Sequence, residues 1–169
     1  MCKTMMSVSD VKLEQVAMTS DQVTFSVLVD GKNLGTVGVV KYYEPMMEVF
    51  GRYVAVWAGP TLCVIDRGEG ALRCIDRDDE THRIHPFENV WIVQGELNID
   101  LFDPELGTML ATYNHNEVIT NSFIVHDLVH VEDFASGTLM LDPRRSLQVV
   151  APVQASTTRD HAKPDLEDG

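Results

Sequence analysis

Residues 90–107, VWIVQGELNIDLFDPELG, contain two apolar runs separated by Gly95 and closed by a turn from Asp103 to Gly107. The same pattern occurs twice more, in residues 53–70 and 128–146, where Asp66 and Asp142 follow an apolar run. An Asp at the start of a turn can accept backbone N–H groups two residues on, and Gly can end the turn with positive φ. The repeat therefore predicts three strand–turn–strand hairpins.

Antiparallel pairing across these turns predicts which side chains share a face. In the second hairpin, with residues 103–107 as the loop, one face pairs the apolar residues Leu97 with Tyr113, Ile99 with Ala111, and Leu101 with Met109. In the first hairpin, Cys63 lies opposite Cys74 on a buried face. Since the chain has only three cysteines, these two are expected to be reduced core thiols, with a redox-active pair as the alternative.

A further hairpin is predicted near the N-terminus, because residues 23–29 alternate between apolar and polar and Asp30-Gly31 marks a tight turn. Residues 1–9 are interpreted as a flexible lead-in, and residues 10–153 as a single β domain. Its repeats span about residues 53–89, 90–127 and 128–153. Residues 154–169 are interpreted as a disordered acidic tail.

The repeats resemble β-propeller blades of the quinoprotein or Kelch type, in which a strand leads to Gly and then to an apolar strand that ends in Asp. A closed propeller needs at least four blades, and the sequence shows three plus the N-terminal hairpin. The expected fold is therefore all-β: an antiparallel meander of three blade-like hairpin repeats plus an N-terminal hairpin, forming an open or incomplete propeller or a sandwich. Propeller folds carry many functions, so the resemblance implies no activity.

The charge of the chain favours a basic partner. The net charge is −13, and the segment from Ile84 to Pro143 contains no Lys or Arg. Such a charge disfavours nucleic acid and anionic membranes as partners and attracts basic proteins. The N-terminus lacks the apolar stretch of a signal peptide, so a cytoplasmic location is expected.

The acidic residues of the later repeats could form one binding face. The candidates for this face are Glu96, Asp100, Glu117, Asp127, Glu132 and Asp133. We expect a non-catalytic protein-binding module without a cofactor, most concretely an immunity-type inhibitor of a basic, nuclease-like toxin. The competing interpretation is that these acids are separate solvated residues that keep a β protein soluble.

Two other functions stay open at this stage. His82, His85 and Glu88, followed by Gly95, are similar to the first cupin motif, and this similarity implies a metal-dependent enzyme that uses these three residues. The departures are the spacing of the histidines and the absence of a second cupin motif. A self-assembling β scaffold, built by pairing of open sheet edges, is the remaining alternative.

Overall fold

The structure is a computed structural model that describes residues 3–8 and 10–150 of the chain. The described residues form sixteen strands and one 3-10 turn, Pro143–Arg145, with no α-helix among them. The strands are grouped into four sheets of four, each an up-and-down antiparallel meander of consecutive strands. This arrangement confirms the all-β, open, propeller-like class.

Each sheet uses its strands in chain order. Sheet A contains β1 (Lys3–Val8), β2 (Val11–Met18), β3 (Gln22–Val29) and β4 (Lys32–Val40). Sheet B contains β5 (Met46–Phe50), β6 (Tyr53–Ala58), β7 (Thr61–Asp66) and β8 (Ala71–Asp76). Sheet C contains β9 (Arg83–Phe87), β10 (Val90–Gln94), β11 (Asn98–Asp103) and β12 (Thr108–Asn114). Sheet D contains β13 (Ile119–Val125), β14 (Leu128–Asp133), β15 (Thr138–Asp142) and β16 (Gln148–Val150).

The predicted boundaries differ from the observed ones because the first strand of each sheet was missed. The three predicted hairpin units correspond to the second to fourth strands of sheets B, C and D. The N-terminal hairpin is β3–β4, and it belongs to a complete fourth sheet. The first strand of that sheet is Lys3–Val8, within the predicted flexible lead-in. The predicted disordered tail, residues 154–169, lies outside the described residues.

The Asp-led turns have the predicted chemistry. Asp103 Oδ1 accepts the backbone N–H groups of Glu105, at 2.8 Å, and Leu106, at 3.0 Å. Asp66 Oδ1 does the same for the two residues that follow Arg67, and Asp142 Oδ1 accepts one backbone N–H. Gly107 closes its turn with a φ of 67°. The aspartates therefore terminate the third strand of sheets B, C and D in the same way.

The predicted registers are confirmed in one hairpin and corrected in the other. Cys63 pairs with Cys74, as predicted. Ile99, by contrast, pairs with Tyr113 instead of Ala111. Asp103 itself pairs with Thr108, which shifts the register by one position, and a bulge between Leu101 and Phe102 shifts it by another. The shift of two positions keeps Ile99 and Leu101 on the same side of the sheet, in one hydrophobic cluster. Leu97 precedes β11 and is 46% exposed, so its predicted pairing with Tyr113 is wrong.

The two paired cysteines form a disulfide, with Cα atoms 4.0 Å apart. The expectation of reduced thiols is therefore wrong for this structure. Cys63 is buried on β7, whereas Cys74 is exposed on β8. The disulfide links a buried central strand to the last strand of sheet B.

In the part of the chain that the structure describes, each hydrophobic core lies between two consecutive sheets. One cluster joins sheets A and B, a second joins B and C, and a third joins C and D. Strands β6, β7, β10 and β11 are therefore buried on both faces. The first three are nearly continuous apolar runs, whereas β11 also buries Asn98 and Asp100. β2, in the terminal sheet A, begins with the alternating burial of a strand with one packed face.

Candidate functional site

The two ends of the sheet stack carry different loops. In a four-stranded meander the second turn lies at the same end as the connection to the next sheet. Backbone hydrogen bonds show this adjacency, for example from Thr81 N to Gly59 O at 2.8 Å and from His115 N to Leu97 O at 2.7 Å. We call this end the loop face; it comprises residues 19–21, 41–45, 59–60, 77–82, 95–97, 115–118 and 134–137. The opposite end, with the first and third turns, is called the hairpin end.

Contacts between sheets make the central part of the loop face continuous. Tyr43, which follows sheet A, packs its ring against Gly59 of sheet B and donates its hydroxyl to Glu80. Asp79, between sheets B and C, accepts backbone N–H groups from Leu97 and from the residue after it. Sheet D joins this surface because Ile119 N donates to the backbone oxygen of residue 96 at 2.7 Å. The loops therefore act as one surface.

The loop face is strongly acidic. It contains seven carboxylates, at Asp21, Glu44, Asp78, Asp79, Glu80, Glu96 and Glu117. Its only Lys and Arg residues are Lys41 and the buried Arg77. Hydrogen bonding to Glu80, burial, and the charges of Glu80 and Glu96 raise the pKa of Tyr43. The negative potential at this surface therefore acts on a neighbouring titratable group.

Apolar side chains project from the same loops. Tyr42 is 85% exposed and Phe134 is 79% exposed, and Leu97 and Val118 are also solvent-accessible. Each lies within two residues of a carboxylate: the pairs are Tyr42 with Glu44, Leu97 with Glu96, Val118 with Glu117, and Phe134 with Asp133. The loop face therefore combines exposed apolar groups with negative charge.

The six predicted acids do not form one face. Glu96 and Glu117 are exposed on the loop face, and Asp133 lies at its margin. Asp127, in contrast, lies on the hairpin end, where it binds Arg144 at 3.0 Å. The remaining two acids, Glu132 and Asp100, lie within strands, and Glu132 accepts a hydrogen bond from the Asn121 amide.

Asp100 is buried and does not contribute to an acidic surface, so its predicted role is wrong. Its carboxylate accepts two hydrogen bonds from Arg77, from Nε at 2.9 Å and Nη2 at 2.6 Å, and one from the Thr112 hydroxyl. Arg77 also donates to Asn98, Thr81 and a backbone oxygen. This network anchors the connection between sheets B and C beneath the loop face.

Asp133 is held at the margin of the loop face by His115. His115 Nε2 lies 2.9 Å from Asp133 Oδ2, and the Tyr113 hydroxyl lies 3.3 Å from His115 Nδ1. The hydrogen bond to His115, followed by that to Gly137, lowers the pKa of Asp133. Asp133 is therefore ionised, and its charge is partly compensated within the chain. Glu96 and Glu117, by contrast, make no salt bridge with a described residue.

The structure does not bring together the three residues of the metal alternative. His82 precedes β9, and Glu88 follows it at a φ of 51°, so the strand holds these residues about 20 Å apart. Glu88 instead binds Arg144. No group of three His, Cys, Asp or Glu residues in the described part of the chain could hold a metal ion.

His85 instead belongs to a polar network between sheets C and D. The buried Ser122 hydroxyl donates to Gln94 Oε1 at 2.6 Å and accepts from His85 Nε2, 3.0 Å away. Burial, and secondarily the charge of Arg83, lowers the pKa of His85. The network therefore contains a neutral imidazole that bridges two sheets.

The hairpin end differs from the loop face because three of its four arginines form salt bridges with described residues. Arg52 binds the buried Asp66 and lies 3.0 Å from Glu69, and Arg67 binds Asp10. Arg144 binds both Glu88 and Asp127, as described above. The acids of this end are therefore largely neutralised by neighbouring cations.

A pocket of ≈ 530 Å³ opens between sheets B and C at the hairpin end. The turn that follows Phe50, the turn that contains Glu88 and the loop that contains Glu105 surround it, and Trp91 forms part of its lining.

Most of the exposed apolar residues and several acids of the loop face were not predicted from the sequence. Tyr42, Glu44 and Phe134 had no assigned role, although Tyr42-Tyr43-Glu44-Pro45 already combines aromatic rings, an acid and a helix-breaking Pro. The signal that could have found them is the alternation of turns. Once four strands per sheet are recognised, the second turns and the connections must share one end.

Comparisons with known proteins show the fold alone. No protein-family model matches the chain, and no curated protein matches it. Among solved structures, BamB from Moraxella catarrhalis is similar with a TM-score of 0.58 and 12% identity, over 88% of this chain and 47% of that protein. Apo AztD from Citrobacter koseri is similar with a TM-score of 0.53 and 12% identity, over 86% of this chain and 44% of that one. The chain thus spans about half the length of these two β-propeller-like proteins.

A computationally designed protein, Ika4, has a TM-score of 0.52 and 13% identity, over 79% of this chain and 86% of that one. The likenesses to BamB and AztD confirm the predicted propeller-like character of the repeats. In residues 3–8 and 10–150, no helix has the length and hydropathy of a membrane span.

Proposed function

We propose that this chain is a non-catalytic protein-binding module that captures a basic partner on its loop face. One observation carries the proposal: seven carboxylates and four exposed apolar side chains occur on the same continuous set of loops. Loops positioned by a rigid scaffold are common binding surfaces. The four sheets supply that scaffold here.

The two kinds of side chain have different roles in such an interface. Glu96 and Glu117, exposed and without a salt bridge to a described residue, would attract a basic partner over long distances and raise the association rate. Tyr42 and Phe134 would supply the contact area, since aromatic residues contribute a large share of binding energy at interfaces. A partner would therefore present both basic and apolar side chains to this surface.

The more specific form of the proposal is an immunity-type inhibitor of a basic, nuclease-like toxin. A nuclease binds phosphates with a basic cleft, and a surface rich in carboxylates can occupy such a cleft by presenting similar charge.

The finer assignment of the repeats to the quinoprotein or Kelch type also remains a proposal, supported by the strand–Gly–strand–Asp pattern of residues 90–107.

The test begins with capture of basic proteins on the immobilised chain at low and high salt. Each captured protein is then titrated against the wild type and against a Glu96→Lys/Glu117→Lys double variant. We expect about tenfold weaker binding of the double variant, since exposed charge pairs contribute up to about 1 kcal/mol each. A captured nuclease is expected to lose activity when the chain is added in stoichiometric amount.

The matched control is Glu105→Lys, which changes an exposed acid at the hairpin end. This variant should bind the partner as the wild type does. Phe134→Ala should weaken binding through the dissociation rate, because it removes an apolar contact. Equal binding by the wild type and the loop-face double variant, with no dependence on salt, would refute the proposal.

Of the alternatives, the cupin-like enzyme is not favoured, because His82, His85 and Glu88 lie far apart. The self-assembling scaffold remains a prediction without a specific contact that supports it. Sedimentation velocity over a range of concentrations tests it, and a constant sedimentation coefficient for the monomer would exclude it.

A further inference from the structure

The pocket at the hairpin end has aromatic walls. Phe50 and Tyr53 are cross-strand partners that flank the β5–β6 turn, and both are partly exposed. Trp91, from sheet C, packs against both rings: the centroid of Trp91 is 5.2 Å from that of Phe50 and 6.3 Å from that of Tyr53. The partly exposed Phe50 and Tyr53 rings thus line a pocket of ≈ 530 Å³, with the buried Trp91 ring behind them.

The charges around the pocket favour a cation. Two carboxylates, Glu88 and Glu105, line it, with Arg52 as the only lining cation. Arg52 is already neutralised by Asp66 and Glu69. Glu105 is exposed and makes no salt bridge with a described residue, so its charge remains available to a ligand.

One ring of the pocket already binds a cation in the structure. The Arg52 guanidinium carbon lies over the Tyr53 ring, 5.4 Å from its centroid. Aromatic faces attract cations through their quadrupole. The contact between Arg52 and Tyr53 is therefore an example of the cation–π interaction that a bound cation would make with the rings of the pocket.

We propose that this pocket binds an alkylated ammonium group. A quaternary ammonium has no N–H donors to satisfy, so it suits walls made of rings, and its weakly hydrated charge suits an adjacent carboxylate. Primary ammonium groups would need acceptors, and Glu88, one of the two carboxylates available, already accepts two hydrogen bonds from Arg144. The site is independent of the proposed loop-face function, since it lies at the opposite end of the sheets.

The probe is choline, titrated into the full chain and followed by calorimetry and by Trp fluorescence. We expect saturable binding with a dissociation constant of about 1 mM or tighter. The matched ligand is 3,3-dimethylbutan-1-ol, which has the same shape without the charge, and it should bind at least about tenfold more weakly. Equal binding of the two ligands, or no saturation by choline, would overturn the proposal.

Variants locate the site. Glu105→Gln should weaken choline binding about two- to fivefold, because it removes one exposed charge. Phe50→Leu should weaken it further by removing a ring while keeping an apolar side chain at this partly exposed position. Glu117→Gln, on the loop face, should leave choline binding unchanged. If Glu117→Gln weakens choline binding as much as Glu105→Gln does, the net charge of the protein explains the affinity, and the pocket is not the binding site.

A last arm separates the sources of the ammonium group. A peptide that carries trimethyllysine is compared with choline and with the same peptide carrying unmodified lysine. Tighter binding of the methylated peptide than of choline assigns the pocket to a protein-borne group, and the reverse assigns it to a free small molecule. Discrimination between the methylated and unmodified peptides should be lost in Phe50→Leu.

Discussion

Replacing Asp100 with alanine is expected to cost stability and leave partner binding unchanged. In the structure the Arg77 side chain has no solvent exposure, and Asp100 is its only anionic partner within residues 3–8 and 10–150. Removal of the carboxylate leaves a buried cation uncompensated, which costs about 3–5 kcal/mol in comparable pairs. Arg77 also keeps three hydrogen bonds to other groups, so the lower half of this range is the better estimate.

The measurement is urea unfolding followed by the fluorescence of Trp57 and Trp91. Both rings lie in the core between sheets B and C, the same two sheets that the Arg77–Asp100 pair connects. A loss of about 3 kcal/mol corresponds to a decrease of about 6–12 °C in melting temperature for a chain of this size. Glu96→Ala is the control, since an exposed acid should change stability by about 0.5 kcal/mol or less.

A double variant, Arg77→Met/Asp100→Leu, separates loss of the pair from loss of packing. Replacing a buried ion pair by apolar residues of similar volume is often neutral, so the double variant should recover most of the stability that Asp100→Ala loses. If Asp100→Ala costs less than about 1 kcal/mol, or weakens partner capture as the Glu96→Lys/Glu117→Lys double variant does, the burial argument is wrong.

The remaining predictions concern three local features. Replacing both Cys63 and Cys74 with serine or alanine should lower the free energy of unfolding by about 3 kcal/mol, because the unfolded chain gains the entropy of an open loop. The wild type should lose a similar amount in reductant. Equal urea unfolding midpoints with and without reductant would contradict this prediction. The pKa of His85 lies below its unfolded value, so the unfolded chain takes up the proton first. Stability should therefore fall as the pH decreases from about 6.5, by up to about 1.4 kcal/mol per unit. His85→Gln should remove this slope between pH 7.5 and 5.5, as measured by urea midpoints. Asp103→Ala should cost about 1 kcal/mol because two backbone N–H groups lose their acceptor, whereas Asp103→Asn should retain most of the stability in the same assay.

Turn chemistry was the part of the fold that sequence could predict. The spacing from Asp103 to Gly107 predicted both the hairpin and the hydrogen bonds that the carboxylate accepts. The central strands were also recognisable, because burial on both faces requires nearly continuous apolar runs. Such local signals do not depend on which sheets pack together.

The first strands of sheets B and C could not be recognised so easily. β5 follows Pro45 and has mixed burial, and β9 contains Pro86, which usually argues against a strand. Each is the terminal strand of its sheet and pairs on one side only, so Pro86 need not donate to a ladder. Missing these strands displaced every repeat boundary by one strand.

The six acids do not form the predicted common face, because the prediction assumed that all of them are exposed. Asp100 lies between Ile99 and Leu101 in a run that is buried on both faces, and a charge in that position needs a buried partner. Its partner, Arg77, lies 23 residues earlier in the chain, in a connection whose position depends on the stacking of two sheets. The end of the stack on which each acid lies likewise follows from the four-strand count.

The arrangement of the cores between consecutive sheets determines which sheets separate first when the molecule opens. Sheets B and C each share a core on both sides, whereas sheets A and D each share one core among the described residues. Stability in such a linear array is approximately a sum of nearest-neighbour terms, so the outer members separate first. Amide hydrogens of β2 and β15 should exchange when an outer sheet separates locally. Those of β7 and β10 should exchange only when the whole molecule unfolds. The loop-face contacts that link sheets B and C would then persist after either outer sheet has opened.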